Sequence, residues 1–138
     1  MHKVYDNKAA FGGGIFVIMD TSSMSIKYGN ISNSSIRLND ASQGGGAFVS
    51  GAYLILQTSL MAENNAGFPL ALSLSPSGFG GAVYLENSTV IIRNCFLLSN
   101  KAGSGGAVSV QKSSILNFTG DSNAIDTNLA TNGGAAQV

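Results

Sequence analysis

The sequence predicts an all-β chain, a right-handed single-stranded parallel β-helix of about four full coils with incomplete coils at both ends. Two coupled motifs and a series of short β-prone runs predict it. The first motif is a glycine pair followed by a small residue, starting at Gly12, Gly45, Gly80, Gly105 and Gly133. The second is Asn-x-Ala, at Asn7, Asn39, Asn64, Asn100 and Asn128. The Asn stands five residues before the glycine pair in three units, six before Gly45 and sixteen before Gly80. Self-similarity of this kind, at intervals of 25 to 35 residues, marks a stack of repeated units. An amphipathic helix is excluded, because glycine pairs interrupt every window.

The shortest unit, Gly80 to Ser104, shows the elements most clearly. Ala82-Val83-Tyr84-Leu85, Thr89-Val90-Ile91-Ile92-Arg93 and Phe96-Leu97-Leu98 are β-prone. Glu86-Asn87-Ser88 and Asn94-Cys95 read as turns, and Ser99 to Ser104 as the closing corner. The expectation is therefore three strands and three corners per coil. The unit after Gly105 places strands at Ala107 to Val110 and Ser114 to Phe118, with a weaker stretch to Asn128. The unit after Gly45 places them at Ala47 to Val49, Tyr53 to Gln57 and Leu60 to Ala62. The unit after Gly12 places them at Ile15 to Met19, Met24 to Tyr28 and Ser35 to Leu38. Coils run over 12–44, 45–79, 80–104 and 105–132, with partial coils 1–11 and 133–138. The residue three before each repeat Asn is apolar (Val4, Ile36, Met61, Leu97, Ile125), and that column is expected to point inward.

Stacking gives each motif a physical reason. Coils pile at about 4.8 Å, so each corner meets its copies above and below. The corner glycines Gly12, Gly13, Gly45, Gly46, Gly80, Gly81, Gly105, Gly106, Gly133 and Gly134 allow positive φ and close backbone approach. Asn7, Asn39, Asn64, Asn100 and Asn128 tolerate the left-handed conformation, and each amide can donate to one coil and accept from another. All these are read as scaffold residues.

With motifs and spacing in hand, the chain resembles the repeats of the chlamydial polymorphic outer membrane proteins, a pectin-lyase-like β-helix type marked by Gly-Gly-Ala-[Ile/Leu/Val] and Phe-x-x-Asn. Gly80-Gly81-Ala82-Val83 and Gly105-Gly106-Ala107-Val108 match the first tetrapeptide in full. The units at Gly12, Gly45 and Gly133 each depart at one place, and Val4, Ile36, Met61, Leu97 and Ile125 replace the Phe of the second. The resemblance implies an adhesin-like passenger, extracellular or on the cell surface (the outer membrane in a bacterium), meeting a protein or glycan. Alternatives are a carbohydrate-binding or degenerate polysaccharide-active β-helix and a structural spacer.

Composition and side chains narrow the chemistry. With 10% charged residues and no net charge there is no electrostatic case for nucleic acid or an anionic membrane. A hydrophobic fraction of 44% excludes disorder. No catalytic site, cofactor or metal is expected. The seven carboxylates scatter over the repeat template, and the single His, His2, sits at a terminus. Lys8 and Asp40 are expected as an exposed cross-coil pair. Cys95 falls in a polar turn column with Ser34, Ser59 and Asn123. Membrane contact is expected only through flanking domains, and the open coil ends suit end-to-end association. The chain reads as a piece of a longer array or a truncated gene product. The stretch 67–79 breaks the repeat, and Phe68, Pro69, Leu70, Leu72, Leu74 and Phe79 are its candidate partner-contact residues. Asn30, Asn33, Asn87 and Asn117 stand in Asn-x-Ser/Thr triplets.

Overall fold

A computed structural model describes residues 1–18, 28–67 and 78–137. Every strand pairs in parallel with its counterpart one coil away, so the chain is a parallel β-solenoid of about four turns. Each coil has four walls, one more than the sequence suggests. Wall 1 holds Ile15–Ile18, Ala47–Ser50, Val83–Glu86, Val108–Gln111 and Ala136–Gln137. Wall 2 holds Tyr28–Ser32, Tyr53–Gln57, Thr89–Arg93 and Ile115–Thr119. Wall 3 holds His2–Tyr5, Ser34–Arg37, Leu60–Ala62, Phe96–Leu98 and Ala124–Asp126. Wall 4 holds Lys8–Phe11, Asp40–Gln43, Asn65–Ala66, Lys101–Ser104 and Leu129–Asn132.

Wall 4 is the one that local propensity hides. Lys101-Ala102-Gly103-Ser104 reads as a closing corner, yet it pairs with Leu129–Asn132 on one side and with Asn65 on the other. Pairing above and below makes a strand of residues that would not form one alone. In the first coil, the expected strand Met24 to Tyr28 lies outside the described residues except for Tyr28. The wall 2 strand there is Tyr28–Ser32, in register with Tyr53–Gln57. Met19 also lies outside them.

The glycine frame of the second coil moves by one residue. Gly44, not Gly45, aligns with Gly12, Gly80, Gly105 and Gly133, and all five have φ between 56° and 64°. Gly45 is thus the second residue of that corner, and Gly46 takes the place of Ala82 and Ala107. The second coil starts at 44, and its Asn stands five residues ahead as in three of the other units. Two frames were open because Gly44-Gly45-Gly46-Ala47 contains two glycine pairs.

Among the described residues, each of the four corners carries one left-handed residue per coil. Between walls 3 and 4 it is not the repeat Asn but the residue before it, Asp6, Leu38, Glu63, Ser99 or Thr127, with φ between 54° and 58°. The Asn itself is released to bond between coils.

The core fills the bore. Val4, Ile36, Met61, Leu97 and Ile125 stack in register on wall 3, and Ile36 and Leu97 are fully buried. Leu54, Val90, Leu56 and Ile92 of wall 2 and Val49, Val83, Leu85 and Val108 of wall 1 complete it. At about 2 kcal/mol for each fully buried aliphatic side chain, this stacked core is the main source of cohesion.

Candidate functional site

The five repeat Asn residues form a continuous amide ladder inside the corner between walls 3 and 4. Asn7 Nδ2 donates to Asn39 Oδ1 at 2.9 Å, Asn39 Nδ2 to Asn64 Oδ1 at 3.0 Å, Asn64 Nδ2 to Asn100 Oδ1 at 3.0 Å and Asn100 Nδ2 to Asn128 Oδ1 at 2.9 Å. Each backbone N–H joins its own side chain on the same oxygen, from 2.9 to 3.2 Å. The second Nδ2 hydrogen goes the other way, to the backbone carbonyls of Val4, Ile36, Met61 and Leu97. Every hydrogen-bonding capacity of the central amides is therefore spent between coils. Asn39, Asn64 and Asn100 are fully buried. The ladder ties each coil to the next.

Two hydroxyl columns at other corners repeat the device. Ser88 Oγ accepts from Ala52 N, and Ser114 Oγ accepts from Ser88 N, both at 3.2 Å. On the wall 2 to wall 3 corner, Ser59 Oγ accepts from Ser34 N at 3.1 Å and donates to Gln57 O. Cys95 takes Ser59's place one coil on, with Sγ 3.3 Å from Arg93 O, while Asn123 Oδ1 accepts from Cys95 N. The Ser88 and Ser114 column escaped the sequence reading, although aligning units on wall 2 places both just before the strand.

Cys95 is buried, and that burial raises its thiol pKa, outweighing the hydrogen bonds that oppose it. A buried, protonated thiol is unreactive. The expected result is no maleimide labelling of the native protein at neutral pH and full labelling in denaturant. Cys95→Ser, which restores the residue found at 34 and 59, should keep the urea midpoint within about 1 kcal/mol of stability. Rapid native labelling would overturn this placement.

Outward side chains of the described residues gather into one surface on wall 1 and another along the wall 3 to wall 4 corner. On wall 1, Phe16, Phe48 and Tyr84 point away from the core in one column. Their rings stack at 5.4 Å and 5.2 Å, flanked by Phe11 and Phe79 of wall 4. Phe48 and Tyr84 are buried, while Phe11 and Phe16 are about half exposed. The Tyr84 hydroxyl donates to Glu86 Oε2 at 3.0 Å, and Lys112 pairs with Glu86 from the next coil. Burial first, then the Glu86 hydrogen bond, pushes the Tyr84 pKa up to about 12. Lys112 holds the Glu86 carboxyl below its ordinary value. Tyr84 is thus a donor, not a base.

The second surface follows the outside of the wall 3 to wall 4 corner. A depression of about 300 Å³ is lined by Lys3, Tyr5, Ser35, Arg37 and Leu38. A second, of about 390 Å³, is lined by Leu38, Glu63, Asn65, Ser99 and Lys101. They share Leu38, whose side chain is half exposed. Arg37 Nη2 pairs with Glu63 Oε1 at 3.0 Å, an exposed pair worth less than about 1 kcal/mol. Arg37 Nε is buried without a hydrogen-bond partner. Lys8 and Asp40 stand in register on wall 4, as expected.

Of the residues expected to contact a partner in 67–79, Phe68, Pro69, Leu70, Leu72 and Leu74 lie outside the described residues. Phe79, expected in the loop, stands on wall 4 instead, bridging Gln43 and Ser104 in parallel, with its ring against Tyr84. The chain leaves wall 4 at Gly67 and returns at Gly78. The two ends meet, since a Cβ on Gly78 would lie 2.5 Å from Gly67 N. The insertion therefore interrupts a strand, not a corner. Among the described residues no three His, Cys, Asp or Glu side chains group as metal ligands. No family model matches the chain, and neither a curated protein nor a solved structure does.

Proposed function

We propose that the chain is a segment of a surface-displayed or secreted solenoid of the polymorphic outer membrane protein type, an adhesin-like, non-catalytic passenger that meets a protein or glycan on a cell surface. One observation carries this reading. The repeated polar residues are consumed between coils, while the outward positions differ from coil to coil, as in the column Lys3, Ser35, Leu60, Phe96 and Ala124. A rigid frame with variable outer residues presents contacts at low ordering cost.

The groove beside Leu38 is the surface we assign to the contact. It offers Lys3 and Lys101, with Arg37 held by Glu63, and the exposed ring of Tyr5, a set that suits acidic groups on a macromolecule. The same cations favour a second reading, capture of an acidic polysaccharide.

The experiment is retention of cells on immobilised protein. Retention by the parent, and at least tenfold less by the Lys3→Ala, Tyr5→Ala, Lys101→Ala triple variant with an unchanged urea midpoint, is expected. Retention unaffected by the triple variant removes the groove from the proposal. Turnover of a bound acidic polysaccharide replaces the adhesin reading with an enzymatic one. A folded protein that retains no cells and binds no glycan is a spacer.

A further inference from the structure

The fold gathers the four Asn-x-Ser/Thr triplets on one side of the solenoid. Asn30 and Asn117 occupy a single register column on the outer face of wall 2, with Ile55 and Ile91 between them. Asn87 is the left-handed residue of the corner that enters this wall, and Asn33 that of the corner that leaves it. All four are exposed, and none of their side-chain amides hydrogen-bonds to a described residue. The ladder residues behave oppositely: Asn39, Asn64 and Asn100 are sealed in the corner, and none of the five ladder Asn begins such a triplet.

The same wall carries an apolar outer strip. Tyr28 is 71% exposed and Ile115 55% exposed, Ile55 and Ile91 are partly exposed, and the rings of Tyr28 and Tyr53 touch at 4.9 Å. An open strip of this kind on a sheet face invites association. Asn30 and Asn117 stand at its two ends, three coil steps or about 14 Å apart. A hydrophilic chain tethered at each would cover the isoleucines between them.

We propose that wall 2 is a glycan-bearing face, with N-linked oligosaccharides on Asn87, on Asn117 and on Asn30 or Asn33. This rests on the secreted or surface-displayed reading above. In the attachment step the Asn Nδ2 forms a bond to C1 of the first sugar of a polyprenyl-diphosphate-linked oligosaccharide. The C1–oxygen bond breaks, the polyprenyl diphosphate leaves with that electron pair, and one amide proton passes to a base of the transferring enzyme. No oxidation state changes. The required hydroxyls are Ser32, Ser35, Thr89 and Thr119. Ser35 is buried in the folded coil, so transfer at Asn33 precedes closure of that coil.

The test uses protein recovered from the surface or medium of its natural source. It is treated with a peptide N-glycosidase in ¹⁸O water and mapped by mass spectrometry. Heavy-oxygen tags are expected at positions 87 and 117 and at 30 or 33. Asn87→Gln and Asn117→Gln should each remove one mobility step, with the urea midpoint unchanged for Asn117→Gln and slightly lowered for Asn87→Gln, whose φ of 48° favours Asn. Bare Asn87 and Asn117 in surface-recovered protein overturn the proposal and leave the surface reading standing. Recovery only from the cytosol, with bare triplets, overturns both. Bare triplets with cell retention abolished by Ile91→Asp would give the strip to a protein partner instead.

Discussion

Asn100→Ala should lower the stability of the solenoid by about 4 kcal/mol, while Asn87→Ala should change it by no more than about 1 kcal/mol. The two residues are the same type, and both sit at corners. Asn100 Oδ1 accepts from Asn64 N at 3.1 Å and Asn64 Nδ2 at 3.0 Å, and Asn100 Nδ2 donates to Met61 O at 3.0 Å and to Asn128 Oδ1. Alanine would orphan two donors and one carbonyl around a fully buried site, and each unmet buried group costs about 1–3 kcal/mol. Asn87 is exposed, its amide hydrogen-bonds to no described residue, and it sits at φ 48°, so alanine there meets only the left-handed penalty. Urea unfolding with an unchanged slope measures both. Equal losses would sink the claim that the ladder holds the corner.

The ladder also explains what could be read from the sequence and what could not. The Asn and Gly columns were legible because their roles depend on residue type at one fixed backbone position, so the period survives wherever coils vary in length. Wall 4 was not legible, since Lys101-Ala102-Gly103-Ser104 becomes a strand only through its neighbours. Its small residues follow from the approach to the glycine corner. The shift from Gly45 to Gly44 was undecidable locally, because either glycine pair satisfies the motif and only pairing selects φ 62° at Gly44.

The surfaces were less legible than the frame. The column Phe16, Phe48 and Tyr84 is hidden in runs that read simply as β-prone, and its outward direction emerges from alternation with Val17, Val49 and Leu85. Phe79 reads as part of a loop because the insertion splits a wall 4 strand, and a split strand leaves no periodic trace. The grouping of Asn30, Asn33, Asn87 and Asn117 depends on which wall each enters. Sequence distance does not carry that information.

Gly81→Ala should cost more than about 3 kcal/mol, against less than about 1 kcal/mol of either sign for Gly29→Ala. Both glycines lie next to another coil, and neither has a positive φ. What separates them is the material each Cβ would meet. At Gly81 it would overlap the Gly106 carbonyl oxygen and lie 2.6 Å and 2.7 Å from Lys101 O and N, all of it backbone. That backbone is fixed from both sides, because Gly46 N donates to Gly81 O at 3.0 Å and Gly81 N to Gly105 O at 3.1 Å. Relief would require parting two coils and breaking those bonds. At Gly29 the nearest atom is Leu54 Cδ1 at 2.9 Å, the end of a side chain that can rotate, and the loss of unfolded-state freedom offsets part of the strain. Thermal unfolding of the two variants side by side decides it. A Gly81→Ala protein melting within a few degrees of the parent would show that the coils can part at this corner, and the second glycine would then owe its place to something other than backbone contact.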